Sequence, residues 1–286
     1  MKASVEIRNM SLANLTVGRT PQAELVWAAA KSGFGKVGLL VMTATSHPLH
    51  HEVLGKPEVI REIKTALRET GVRVFDIEAF VLSPLTDLER FKPALELGAE
   101  LGATHISSIG TELAPHATFL SRTQRIDLFG RLCEQAAGFG LTVGIEFMLY
   151  RDIRTWRDAL DLVEAAGSSN AGLILDVLHF HRGGGTASDI GQIPAERIAY
   201  AQLSDCERIA PPLEGLAGEA RTSRLHLGDG VIPLHGILGE LPAQVQLVIE
   251  TPVAAEATSS TLERAQSAAQ NITAFFSTRY EAPGGA

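Results

Sequence analysis

Four β-forming runs in the second half of the chain each carry an oxygen-bearing side chain at or near their ends: GIEF holds Glu146, LILD Asp176, YAQL Gln202 and LVIE Glu250. The apolar residues before each group carry it into a setting where an unpaired carboxylate is costly. A single buried acid is commonly matched by Arg or Lys. Three acids and an amide brought to one place repel one another, and a divalent cation is the simplest cure. Because every donor is oxygen, the expected ion is hard, Mn2+ or Mg2+, with Co2+ tolerated and open positions left for a substrate. Such a centre suits removal of a proton from carbon. A carbon acid needs a nearby base and a cation where the oxyanion develops.

For these four groups to meet, the elements carrying them must end on one face. Short strand-forming runs alternate with longer helical patterns along the chain. The strands are predicted at SVEIRN (4–9), KVGLLV (36–41), VRVFDIE (72–78), THISSIG (104–110), LTVGIEF (141–147), AGLILDV (171–177), RIAYAQL (197–203) and QVQLVIE (244–250), eight in all. Several of the intervening helical patterns stop at a glycine (Gly33, Gly71, Gly102, Gly140, Gly167), and Pro21 and Pro57 stand where a first turn begins. Alternation of this kind builds a parallel sheet with helices outside it. Eight units favour closure into a (β/α)8 TIM barrel, one α/β domain over residues 1–280, with 281–286 a disordered tail. An open doubly wound sheet would ask for G-x-G-x-x-G after the first strand, and NMSLANLT has none. Functional groups of such barrels lie at the C-terminal ends of the strands, where the four oxygen donors fall.

Composition narrows the function. The 286 residues are 45% hydrophobic, ample for one core, and carry a net charge of −8. That balance speaks against nucleic-acid partners, which ask for a basic face. No run approaches the length of a membrane span, and MKASVEIRNMSLANLT lacks the apolar stretch of a signal peptide, so a cytoplasmic protein with a small-molecule substrate is expected. The two cysteines, Cys133 and Cys206, form neither a disulfide framework nor a thiolate metal site.

The runs IEFMLY (145–150), AGLILDVLHFHRGGG (171–185), YAQLSDCE (200–207), GDGVIPL (228–234) and VIETP (248–252) resemble the xylose isomerase-like TIM barrel family, the sugar phosphate isomerase/epimerase superfamily, and the alternation extends the likeness over the whole chain. The resemblance implies a divalent-metal-dependent isomerase or epimerase acting on a small sugar, ketose or polyol-derived substrate through a metal-stabilised enediolate. It implies that Glu146 and Glu250 double as acid and base on opposite sides of a substrate carbon. His179, three residues after Asp176, and Arg208, after strand seven, would hydrogen-bond substrate oxygens. A homodimer or homotetramer is also implied. Two departures stand out. Gln202 takes a place commonly held by His, which resembles the 3-dehydroshikimate dehydratase branch and leaves a lyase open as the alternative. In RLHLGDGVIPL, Leu227 and Asp229 replace the Pro and Glu of an R-x-x-P-G-E-G-x-x-P-L loop. Abasic-site endonucleases share the superfamily but use several metals and a basic groove, which this acidic chain lacks. A non-catalytic ligand-binding barrel is a further alternative, against which the complete ligand set argues.

Other residues carry weaker signals. Arg221 and Arg224, before GDG, are placed to grip a carboxylate or phosphate through paired contacts, or to form surface salt bridges. Glu78 ends strand three and is expected to reach substrate or a neighbour at the barrel mouth. His181 lies in the loop after Asp176, and Arg182 with Gly183–Gly185 offers a possible anion nest. His47, His50 and His51 read as a loop over the active face rather than a zinc site. Trp27 and Trp156 fall on helical patterns as core or interface fillers.

Overall fold

The computed structural model describes residues 6–43 and 49–277. The predicted tail at 281–286 and His47 lie outside the described residues. Eight parallel strands close into a barrel in sequence order: β1 (Ser11–Leu12), β2 (Lys36–Leu40), β3 (Arg73–Val81), β4 (His105–Ile109), β5 (Thr142–Glu146), β6 (Ala171–Asp176), β7 (Ile198–Leu203) and β8 (Leu247–Ile249). Closure is made by Ser11, which pairs with Lys36 on one side and Val248 on the other. The helices are α1 (Asn14–Val17), α2 (Gln22–Lys31), α3 (Pro57–Thr70), α4 (Lys92–Glu100), α5 (Arg122–Ala137), α6 (Trp156–Ala166), α7 (Val177–Arg182), α8 (Ala187–Ile190), α9 (Leu213–Thr222), α10 (Leu234–Glu240) and α11 (Thr261–Ser277). Among the described residues, no helix is long and apolar enough to cross a membrane.

Seven of the eight expected strands fall where the runs predict, within a few residues at each end. The first does not: Ser4 and Val5 lie outside the described residues, Ile7–Asn9 form a short 3-10 turn, and the closing strand is Ser11–Leu12. The reason is burial. A strand in a closed parallel barrel is covered on both faces; Met10, Ser11, Leu12 and Ala13 are all buried, whereas Glu6, Arg8 and Asn9 are exposed. Charged alternation in EIRN imitates a strand that has one wet face.

Local chemistry starts and stops the helices. Ser121 and Thr155 make reciprocal capping boxes with Gln124 and Asp158 at the starts of α5 and α6. Gly71 and Gly167 end α3 and α6 in the left-handed conformation, at φ 72° and 66°. The main core lies between the strands and the helical shell, and includes Cys133 and Trp156; Trp27 sits half-exposed on α2. A second, small cluster of Ala13, Phe75, Ile174, Tyr200 and Val248 fills the barrel interior. Gly144 makes room for it, since a Cβ there would stand 2.6 Å from Ile174. The β2–β3 register skips a residue, so that Val37 faces Val74 but Gly38 faces Asp76. Such a bulge turns successive side chains to one side, and both Phe75 and Asp76 are buried.

Candidate active site

Glu146 is the last residue of β5, Asp176 the last of β6, and Gln202 is next to last in β7, while Glu250 follows β8 directly. The strand register levels them: Asp176 lies opposite Gln202, and Gln202 opposite Val248, two residues before Glu250. All four are buried at the C-terminal mouth. Gln202 Nε2 donates to Glu250 Oε1 at 3.1 Å. Asp176 has a structural task as well, because its Oδ1 accepts from the Leu178 and His179 amides and so caps α7.

The guanidinium of Arg224 lies among these acids. Its Nη1 is 2.6 Å from Asp176 Oδ2 and its Nη2 is 2.8 Å from Glu250 Oε2, with only 2% of the side chain exposed. Nε donates to the Ala220 carbonyl at 2.7 Å, which fixes the approach of the fork. Of the two arginines before GDG, Arg224 is therefore the one that reaches the ligand set. Arg208 is exposed, and no hydrogen bond or ion pair among the described residues ties it to the cluster.

Burial and mutual repulsion leave the acids unequal. Burial, reinforced by the neighbouring Glu250 and Asp176 charges, pushes Glu146 well above the ordinary carboxylate range. Burial likewise lifts Glu250 to about 8, although Arg224 opposes it. Asp176 goes the other way: burial raises it, but Arg224 and His179 together outweigh burial and hold it below its usual value. Glu78 is raised to about 8, first by burial and then by the Asp76 charge; Arg224 pulls it back, so this residue also faces the cluster. Asp76, absent from the sequence-based candidates, is pushed up to about 7 by burial and by Glu250.

His179 joins the acids more closely than a substrate contact alone requires. Its Nε2 is 3.7 Å from Glu146 Oε1, and Glu146, Asp176 and His179 each offer a donor atom within 4.8 Å of the others. That Nε2 and the Gln202 Oε1 are buried without hydrogen-bond partners. Burial pushes His179 down to about 4, so the ring is neutral and carries a free lone pair. Two orphaned lone-pair atoms beside three carboxylates fit a divalent cation, with His179 an alternative donor to the four expected from the sequence.

Other candidates are placed elsewhere. The segment after Asp176 is helix α7 rather than a loop, so residues 179 and 181 diverge by about 200° around its axis. His181 consequently sits half-buried beside Arg182, Asp205 and Glu219, away from the carboxylates. The anion-nest reading of Arg182 and Gly183–Gly185 fails. Arg182 is paired with Glu219, and the three glycine amides close the helix on the His179, His181 and Phe180 carbonyls. Arg221 donates to Glu112 at 2.9 Å on the rim. His50 and His51 belong to no group of metal donors among the described residues. Burial lifts both thiols, Cys133 and Cys206, to about 12, which makes neither a nucleophile.

The variant GDG loop is fastened from below. The Asp205 carboxylate accepts the amides of Gly228, Gly230 and Ile232, and a Cβ at Gly230 would stand 2.2 Å from the Cys206 carbonyl. Asp229, in place of the usual Glu, has no part in this grip. Tyr150 and Arg151, just past β5, also border the site: the Tyr150 ring meets His179 edge-on at 5.7 Å between centroids. Their position directly after the Glu146 strand was the only sign of this in the sequence.

Comparison with known proteins identifies the family of this barrel. Residues 26–275 match the family model described as xylose isomerase-like TIM barrel. A 3-dehydroshikimate dehydratase of Pseudomonas aeruginosa is 30% identical over 161 residues, which are 55% of this chain and 24% of that protein. An inosose isomerase of Halalkalibacterium halodurans is 31% identical over 197 residues, 65% of this chain and 68% of that protein. Among solved structures, the IolI protein with a bound zinc atom superposes with a TM-score of 0.78 at 17% identity, covering 96% of this chain and 99% of that one. The matched stretch is thus about a quarter of the dehydratase, and the named relatives are enzymes.

Proposed function

The chain belongs to the xylose isomerase-like TIM barrel family, and from that premise we propose a divalent-metal-dependent isomerase or epimerase that moves the proton beside the carbonyl of a small polyhydroxylated ketone. The observation that carries this is the gathering of Glu146, Asp176, Gln202 and Glu250 at the barrel mouth with an unpartnered His179 beside them. These side chains would hold Mn2+ or Mg2+, which when bound draws charge from a carbonyl oxygen and makes the adjacent carbon more acidic. Glu146, ending β5, and Glu250, just after β8, approach the reaction space from separate parts of the ring, so one can remove a proton and the other return it. Asp176, whose Oδ1 caps α7 while its Oδ2 pairs with Arg224, would serve as a fixed ligand rather than a base.

The dehydratase reading has support of its own in Gln202 and in the match to the dehydratase. Both reactions begin with removal of the same kind of proton; a lyase then expels a β-hydroxyl instead of taking the proton back. Incubation with inososes, ketoses and 3-dehydroshikimate in D2O separates them. Deuterium entering recovered substrate and its epimer supports the isomerase, an aromatic product supports the lyase, and inertness toward all three classes with Mn2+ bound ends both.

His179→Ala is expected to raise KM by about 10-fold, the worth of one good hydrogen bond, with kcat little changed. Steady-state kinetics at saturating Mn2+ reads this directly. If Mn2+ affinity collapses instead, His179 is a ligand. Metal uptake should also release protons. Glu250, at about 8, holds a proton near neutral pH in the metal-free site. With its folded value above the ordinary one, that proton stabilises the metal-free fold in acid, and the benefit is lost as pH rises through 8. Mn2+ affinity is therefore expected to climb between pH 6 and 8, by about 10-fold per unit for each proton released. Calorimetry in two buffers of different ionisation enthalpy counts these protons; a pH-independent affinity contradicts the assignment.

A further inference from the structure

The barrel closes at β1, its shortest strand, and Glu250 stands beside that seam. β1 has two residues, and its last, Leu12, lies opposite Ile249. The Ala13 amide extends the ladder by one rung, donating to the Ile249 carbonyl at 3.0 Å. In a parallel ladder the Ala13 carbonyl would next accept the amide of Thr251. That carbonyl is already engaged: α1 begins here, and the Thr16 amide donates to it at 3.2 Å. The Thr16 side chain takes over its part. Oγ1 accepts the Thr251 amide at 3.0 Å and donates to the Ile249 carbonyl at 2.8 Å. One hydroxyl, using its proton and a lone pair, thus bridges the two residues that flank Glu250. Thr16 and Thr251 are 2% and 1% exposed, so this amide is matched within the protein and not by bulk water. On the far side, the Glu250 amide donates to the Leu203 carbonyl of β7 at 3.1 Å.

We propose that Thr16 is a positioning residue for the reaction: its hydroxyl replaces the missing rung between β1 and β8 and thereby sets where the Glu250 carboxylate enters the site. The proposal rests on the reading of Glu250 as metal ligand and acid–base group. Thr16 acts through the backbone on either side of Glu250, which the β7 bond alone holds from one edge only. Such control matters because a misplacement of about 1 Å at a reacting group costs about 10²-fold in rate. Partners that orient a metal ligand from outside are worth about 10- to 100-fold in metal affinity or activity.

Two variants of the full chain test this. Thr16→Val keeps the branched shape and removes the hydroxyl, while Thr16→Ser keeps the hydroxyl. Hydrogen exchange read by NMR should show the Thr251 amide exchanging about 10-fold faster in Thr16→Val and at the parent rate in Thr16→Ser. Calorimetry should show Mn2+ binding about 10-fold weaker in Thr16→Val and unchanged in Thr16→Ser. On a substrate found in the D2O screen, kcat should fall about 10-fold in Thr16→Val with KM little changed, and Thr16→Ser should restore it. If Thr16→Val does not fold, Thr16→Ala, which removes the same hydroxyl without a branched side chain, is measured in its place. An unaltered Thr251 amide in the variant without the hydroxyl overturns the rung. Faster exchange with parental Mn2+ affinity and kcat makes Thr16 a structural tie and overturns its positioning role. A parent chain that binds Mn2+ but turns over none of the substrates ends the proton-transfer reading alone, and the Mn2+ affinities still decide whether Thr16 places Glu250. If the parent takes up no Mn2+ either, both readings fall.

Discussion

Glu146→Gln and Glu250→Gln are each expected to lower kcat by roughly 10²-fold or more, the usual contribution of a positioned acid or base. The amide keeps the shape of the side chain and an oxygen for coordination but cannot take a proton. The two variants should differ in stability. Glu250 lies 2.8 Å from Arg224, so replacing it frees one arm of that guanidinium, whereas among the described residues the Glu146 carboxylate makes no ion pair with an arginine. Burial already makes the Glu146 charge costly, so Glu146→Gln should leave the metal-free fold as stable as before, or slightly more so. The decisive measurement is deuterium wash-in at the substrate carbon beside the carbonyl, read by NMR alongside turnover. Loss of exchange in step with kcat supports proton transfer by these residues; near-normal turnover in both variants defeats the mechanism.

Arg224→Met is expected to destabilise the metal-free protein by about 3–5 kcal/mol, the cost of breaking a buried ion pair on one side. Asp176 and Glu250 would then lie buried with no cation, while methionine fills much of the vacated volume. The deficit should deepen with pH. Without Arg224, Asp176 loses the charge that holds it below its ordinary value and Glu250 rises further above its own, and a group so raised stabilises the fold only while protonated. Thermal unfolding in EDTA at pH 6 and pH 8 should show a loss of about 10 °C, larger at the higher pH. Added Mn2+ should restore most of it, because the same carboxylates regain a countercharge. Equal melting of variant and parent in EDTA would mean that Arg224 is not the internal countercharge of this cluster.

Alternation of strand and helix, eight times over, was legible in the sequence because the physical signals are local. Apolar runs a strand long, capping serines and threonines, and glycines past the last turn act over a few residues. Their order alone implied a closed barrel. With that, Glu146, Asp176, Gln202 and Glu250 could be placed at one mouth, since each is at or beside the end of its strand. The exceptions share a cause. EIRN imitated the first strand because charge alternation is also local, and only closure of the barrel demands a run buried on both faces. Helix α7 was missed because five strand-like residues precede it and three glycines follow, and what starts it is the side chain of Asp176 itself. Helix α9, with Gly215 and Gly218 inside, has weak propensity of its own and forms where Leu216 and Ala220 find a buried surface.

What the tertiary structure decided is which charges meet. In the sequence Arg208, directly after strand seven, was the stronger candidate for a substrate contact, and Arg224, before GDG, the weaker one. Arg224 reaches the acids because the Asp205–Leu225 bridge and the Ala220 carbonyl aim it there, and Arg208 stays in solvent. Asp76 enters the barrel through a register shift between β2 and β3 that no run of residues announces. Arg151 and Arg221, seventy residues apart, converge on Glu112 only once the segments after β4 and β5 and helix α9 fold over the same mouth. Chain order determined the barrel and the oxygen donors at its mouth. The pairing of opposite charges depends on distances of a few ångströms, and only the closed fold sets those.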